Sequence, residues 1–280
     1  MVAETAMGTA MDSHDEIVAL LRRIVDNGEA ESWRKTFAAL RLLAKHRSAL
    51  IANTLRQNGG PGVRAGPFAG LKLPQRAAEG CLAPKLLGSY EQELHALVQA
   101  FGERDYQAVI DVGCAEGYYA AGLARLLPQV HVFAYDLNGR AREACAETVQ
   151  LNGLGERITI AEHCTQGEFA RFADRRTLVV CDIEGDEDTL LDPDAAGALR
   201  HMDILVELHE CFDAGLPERV TGRFAPSHDI SLVRQGTRDV SEHDEIAAWP
   251  HIDQLLALWE WRSGPTPWAF MRARELGPPR

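Results

Sequence analysis

Apolar positions along the chain change their period near residue 106. Ahead of that point Ile17, Leu20, Leu21, Ile24 and Val25 recur at helical spacing behind an acidic start, and Trp33, Phe37, Leu40 and Ala44 repeat the pattern. Steps of three and four place such side chains on one face of a helix, so two amphipathic helices are expected. Asn58-Gly59-Gly60-Pro61-Gly62 breaks the second, residues 63–84 are rich in Gly and Pro, and 90–101 read as helical again. From Gln107 the chain alternates short β-branched runs with helical stretches. Strands are expected at 108–112, 131–135, 158–161, 178–181 and 204–206, and two more at 230–234 and 268–272 flank a helix over 252–261. Such alternation predicts βαβ units and a parallel sheet covered by helices on both faces. The expected fold is therefore α/β, a doubly wound, mostly parallel seven-stranded sheet over residues 106–280. Residues 1–105 form a helical N-terminal extension, expected as a lid or a dimer contact.

Composition narrows the function classes. The 280 residues are 46% hydrophobic and 25% charged with a net charge of −12, which excludes disorder throughout and disfavours nucleic acid as a partner. No apolar run approaches the ~18 residues of a membrane-spanning helix, and the first sixteen residues lack the basic start and apolar core of a secretory leader. A cytoplasmic protein is expected. Cys81, Cys114, Cys145, Cys164, Cys181 and Cys211 form no C-x-x-C pair or zinc spacing, so most are read as small buried hydrophobes. The five tryptophans are read as core or interface anchors.

The strongest motif is Asp111-Val112-Gly113-Cys114-Ala115-Glu116-Gly117. A strand ends in an acid, turns through glycines and passes into the helical stretch 118–127, and a second strand ends in Asp136, nineteen residues after Gly117. Strand, Gly-rich turn, helix, strand and acid form the general nucleotide-binding arrangement, in which the second acid accepts ribose hydroxyls. A dinucleotide fingerprint needs G-x-G-x-x-G, which this turn lacks. The acid beside the turn repels a pyrophosphate and suits an ammonium, which points to S-adenosylmethionine.

On these residues the chain resembles the class I S-adenosylmethionine-dependent methyltransferases, with Ala115 where a middle glycine is commoner. Asp182-Ile183-Glu184-Gly185-Asp186-Glu187 and the helix running through Leu151-Asn152-Gly153-Leu154 resemble the FkbM-like branch, as does Leu86-Leu87-Gly88-Ser89-Tyr90-Glu91 less specifically. The resemblance covers about residues 86–212 and implies a Rossmann-like methyltransferase fold. It implies a cofactor site of Asp111, Gly113, Cys114, Ala115, Gly117, Tyr118, Asp136 and Leu137, with His163 and Cys164 near the adenine and Asp182 and Tyr90 alongside.

The acceptor site is expected where the fourth and fifth strands end. Asp182 and Glu184 are two residues apart, as are Glu207 and His209, and side chains two apart in a strand share a face. Glu184, Glu207 and His209 are the catalytic candidates, with His209 as general base because its ordinary pKa is near neutral. Asp186, Glu187 and Asp188 are read as acids at a helix N-terminus. No metal ligand is assigned, although carboxylates gathered there also suit a divalent ion such as Mg²⁺. The expected partner is a polar or cationic small molecule methylated on a heteroatom, oxygen favoured. The alternatives are N-methylation of an amino or guanidino group, and a fold that binds S-adenosylmethionine or a partner without turnover. A homodimer is compatible with the helical front.

Overall fold

The computed structural model describes residues 14–75 and 80–275; the leader reading at 1–13 falls outside them. Seven runs pair as strands: β1 Ala108–Val112, β2 His131–Tyr135, β3 Ile158–Ala161, β4 Thr177–Cys181, β5 Asp203–Glu207, β6 His228–Val233 and β7 Trp268–Ala273. They align in the order β3-β2-β1-β4-β5-β7-β6. β7 is antiparallel to both of its neighbours, and the other pairings are parallel.

Every position of β1, β4 and β5 is buried, as expected for parallel strands covered on both faces. Period two sorts their side chains. Val109, Leu178, Val180 and Leu205 enter one apolar core, while Ile110, Val179, Cys181, Ile204 and Val206 enter the other. Asp111 and Glu207 therefore leave the sheet on the same side as Val109 and Leu205.

The helices are α1 His14–Asp26, α2 Ser32–Gly59, α3 Leu82–Leu87, α4 His95–Ala100, α5 Tyr118–Leu126 and α6 Gly139–Leu151. α7 Gln166–Phe169, α8 Glu187–Leu190, α9 Leu216–Phe224 and α10 His251–Ala257 follow. α2 packs on α3 and α10, and its Ile51, Ala52 and Leu55 share one core with Val109, Leu123 and Leu178. Arg47 of α2 grips Asp253 of α10 through two hydrogen bonds of 2.8 and 2.6 Å. Among the described residues no helix is long and apolar enough to cross a membrane. The six cysteines are free, and all except Cys211 are buried. Trp268 lies in the core, whereas Trp33 on α2 is 62% exposed.

Three helical expectations are revised. The stretch 90–101 is not one helix: Glu91 is left-handed at φ 49°, and only 95–100 are α-helical between two 3₁₀ turns. The Glu91 N–H donates to Glu260 Oε1 at 2.9 Å, so a tertiary contact replaces the helical one. The helix expected over 252–261 stops at Ala257, and Trp261 is left-handed at φ 64°. That early stop lets Glu260 and Arg262 enter the interior. α6 ends at Leu151, with Gly153 at φ 66°.

Candidate functional site

The turn after β1 is held on both sides by backbone. Gly113 and Cys114 donate N–H groups to the carbonyl of Tyr135 on β2, at 2.9 and 3.0 Å, and Asp182 donates its N–H to Val112 at 2.9 Å. Gly113, Ala115 and Gly117 all have positive φ, at 84°, 46° and 82°. Ala115 therefore occupies a conformation that costs an L-residue on the order of 1–2 kcal/mol. The glycines serve packing within the protein: a Cβ on Gly113 would lie 1.6 Å from the Asp182 carbonyl oxygen, and one on Gly117 2.8 Å from Cys145 Sγ. Asp136 braces the turn by accepting the Ala115 N–H at 3.0 Å and the Asn138 N–H at 2.8 Å.

Asp111 is 2% exposed, and its Oδ2 lacks a hydrogen-bond partner among the described residues. Burial, and then the charges of Asp182 and Asp136, push its carboxyl up to about 8. A buried carboxylate oxygen with no donor is costly unless a ligand supplies one. Glu116 in the same motif is fully buried and paired with Lys85 of α3. The Lys85 ammonium sits over the rings of Tyr90 at 4.6 Å and Tyr118 at 5.6 Å. Tyr118 packs edge-on against Phe68 and Tyr90, so its ring joins the front to α5. Leu137 and His163 are exposed, and Cys164 is buried.

Beyond β4 and β5 lies an acidic cluster centred on His209. Its Nδ1 meets Glu187 Oε1 at 2.7 Å. Its Nε2 faces Glu184 Oε2 at 3.3 Å and Asp182 Oδ1 and Glu207 Oε2 at 3.6 Å each. Burial alone would lower the imidazole; hydrogen bonds to Glu184 and Glu187 and the charge of Asp182 outweigh it and raise the ring to about 10. The surrounding carboxylates thus favour the protonated imidazolium over the free imidazole that a general base requires. Burial lifts Asp182 to about 6 although His209 opposes it.

The structure brings Asp182, Glu184, Glu207 and His209 together, though not by strand alternation, because β4 ends at Cys181 and β5 at Glu207. Left-handed Glu184 at φ 58° and Gly185 at φ 116° turn the chain back towards His209. Glu187 opens α8 at its N-terminus as expected and is fully buried, and Asp186 makes no side-chain cap. The cluster continues through Arg262, which binds Glu207 and reaches Glu91 at 3.2 Å and Glu260 at 3.1 Å. Glu91 also accepts from the Tyr119 hydroxyl, and burial raises its carboxyl to about 7 against the pull of Arg262. Sequence patterning carried no signal for Arg262 or Glu260, which arrive from the far end of the chain. A surface depression of about 660 Å³ along α6 and β3, lined by Val149, Gln150, Arg157 and Ile160, contains none of these groups.

Residues 92–174 match the family described as "MTS: Methyltransferase small domain". No curated protein matches the chain. Among solved structures, the cofactor-bound Rv0187 from MTB is 14% identical, with 95% of this chain and 100% of that chain covered and a TM-score of 0.48. The O-methyltransferase TomG from Streptomyces achromogenes, involved in Tomaymycin synthesis and in complex with SAM, is 15% identical. Coverage there is 68% of this chain and 82% of that chain, with a TM-score of 0.46. The match places a methyltransferase domain over residues 92–174, the segment that holds β1, the glycine turn and Asp136, and the cofactor such a domain would take is S-adenosylmethionine. The residues fit that cofactor: the orphaned Asp111 oxygen suits an ammonium, and Asp136 stands at the end of β2 where a ribose is held in such sheets.

Proposed function

We propose that the chain methylates a heteroatom of a polar or cationic small molecule, oxygen favoured, and that it is of the FkbM-like type. The observation that carries this reading is the placement of the orphaned Asp111 oxygen. It lies at the carboxyl end of β1, beside the strand whose end bears the Asp182–Glu184–His209 cluster. The resemblance of residues 182–187 supports the branch. S-adenosylmethionine supplies a methyl group already activated by positive sulfur. Asp111 neutralises the ammonium, Asp136 accepts a ribose hydroxyl, and the turn held by Tyr135 fixes both acids. Glu184, 63% exposed and 3.3 Å from His209 Nε2, takes the acceptor's proton in place of the imidazole, and the imidazolium stabilises the resulting charge distribution. Of the front, residues 1–105, the part that the structure describes packs against the domain 106–280 through Ile51, Ala52 and Leu55 and excludes water there. Tyr90, His163 and Cys164 remain candidate cofactor contacts.

The exposed carboxylate and the surrounding acids also favour a second reading, in which they grip an amine or guanidine and orient its nitrogen. Incubation of the chain with a cell extract and methyl-labelled S-adenosylmethionine, followed by mass spectrometry, decides between them. Label on oxygen supports the first reading, and label on nitrogen the second. Cofactor binding without any labelled product supports a non-catalytic binder and overturns both.

A further inference from the structure

We propose that His209 Nε2 and Asp182, with Glu184 and Glu207, bind one divalent transition-metal ion, and that Glu187 is the positioning residue that holds the ring. Four donors around a four-coordinate ion with bonds of about 2.0–2.2 Å stand about 3.3–3.6 Å from one another. The carboxylate oxygens of Glu184, Asp182 and Glu207 stand 3.3, 3.6 and 3.6 Å from Nε2. Only the nearest is at hydrogen-bond range, yet each stands from Nε2 at the edge length of a metal polyhedron.

Two further observations point to a cation. Glu187 is fully buried and accepts at Oε1 from His209 Nδ1 at 2.7 Å and from the Gly185 N–H at 3.1 Å. This is the carboxylate–histidine relay that sets the tautomer of a metal-bound imidazole, Nδ1 donating so that Nε2 is left as the ligand. The second oxygen of Glu187 and Oδ1 of Asp182 are buried without hydrogen-bond partners among the described residues. One donor atom from each of Asp182, Glu187 and His209 lies within 4.8 Å of the others. Four carboxylates around one imidazole outnumber the positive charge that His209 and Arg262 supply, and the two unpartnered oxygens favour a further cation. Arg262 neutralises only the far oxygen of Glu207, leaving Oε2 facing the ring.

A mixed imidazole and carboxylate set suits Mn²⁺, Fe²⁺ or Zn²⁺, whereas Ca²⁺ and Mg²⁺ favour all-oxygen shells. An ion here would replace the proton on Nε2, and an acceptor hydroxyl that displaces the exposed Glu184 from it would have its pKa lowered, leaving Glu184 to take the proton. That role rests on the methyltransferase reading, whereas the binding itself does not.

The test is a titration of the EDTA-stripped full chain with Mn²⁺, read by electron paramagnetic resonance with no S-adenosylmethionine present. One equivalent is expected to bind, displaced by Zn²⁺ and not by Ca²⁺. His209→Ala and Asp182→Asn should weaken binding at least tenfold, and Glu187→Gln by roughly 10–100-fold. Glu184→Gln, at an exposed position that leaves the fold intact, should weaken it several-fold. Absence of saturable binding, or equal binding by wild type, His209→Ala and Glu184→Gln, overturns the site. Calorimetry with S-adenosylmethionine on the same samples separates the two claims: cofactor binding without metal binding refutes the metal centre alone, and the converse refutes the methyltransferase reading alone.

Discussion

Asp111 shows how a single buried carboxyl costs stability in the ligand-free protein. Its carboxyl is ordinarily ionised above pH ~4, but burial and neighbouring acids hold it protonated up to about 8. Between those values the folded chain binds a proton that the unfolded chain has released, so stability falls as pH rises across that window and is flat beyond it. Asp111→Asn removes the penalty. In the ligand-free protein it is expected to raise stability at pH 7 by roughly 2–4 kcal/mol, with the advantage growing from pH 5 to pH 8 in denaturant titrations. The same variant should bind S-adenosylmethionine at least tenfold more weakly. An unchanged stability together with unchanged affinity would remove Asp111 from the account.

At the scale of elements, the turn after β1 is a joint between three strands. Gly113→Ala sets a methyl 1.6 Å from the backbone oxygen of Asp182, at a φ of 84° that disfavours any side chain. The ends of β1 and β4 must then separate. The expected loss is roughly 3 kcal/mol in chemical denaturation, against about 1 kcal/mol for Gly153→Ala, whose added methyl meets nothing within 4 Å. Equal losses would show that the joint bears no special strain.

Elements of this kind were legible in the sequence where burial on two faces forces a continuous apolar run, as in Val109, Ile110, Leu178 and Val179. Asp111, the turn and Asp136 were legible because strand, glycine and acid recur at short spacing. Glu187 was legible as an acid at a helix N-terminus, where it opens α8, but its burial against His209 was not, because nothing local distinguishes an acid that folds inward to a histidine. Arg262 and Glu260 were invisible for a different reason: their partners lie far away in sequence, and α10 had to end early to release them.

For the whole molecule the net charge of −12 acquires a location. Asp136, Asp182, Glu184, Glu187 and Glu207 lie at the carboxyl ends of neighbouring strands or just beyond them, beside Asp111, which joins them in carrying charge only above about pH 8. Such a field attracts a sulfonium ligand and is screened by salt within ~8–10 Å at physiological ionic strength. Stopped-flow association of S-adenosylmethionine should therefore slow several-fold between about 50 and 500 mM salt, whereas a rate independent of salt would detach the charge from cofactor capture. The central claim is that this acidic sheet end binds S-adenosylmethionine through Asp111 and Asp136, and calorimetric titration with the cofactor tests it most directly. The account predicts one site per chain, weakened by roughly 1–3 kcal/mol in Asp136→Ala; no saturable heat, or the same affinity in both proteins, would contradict it.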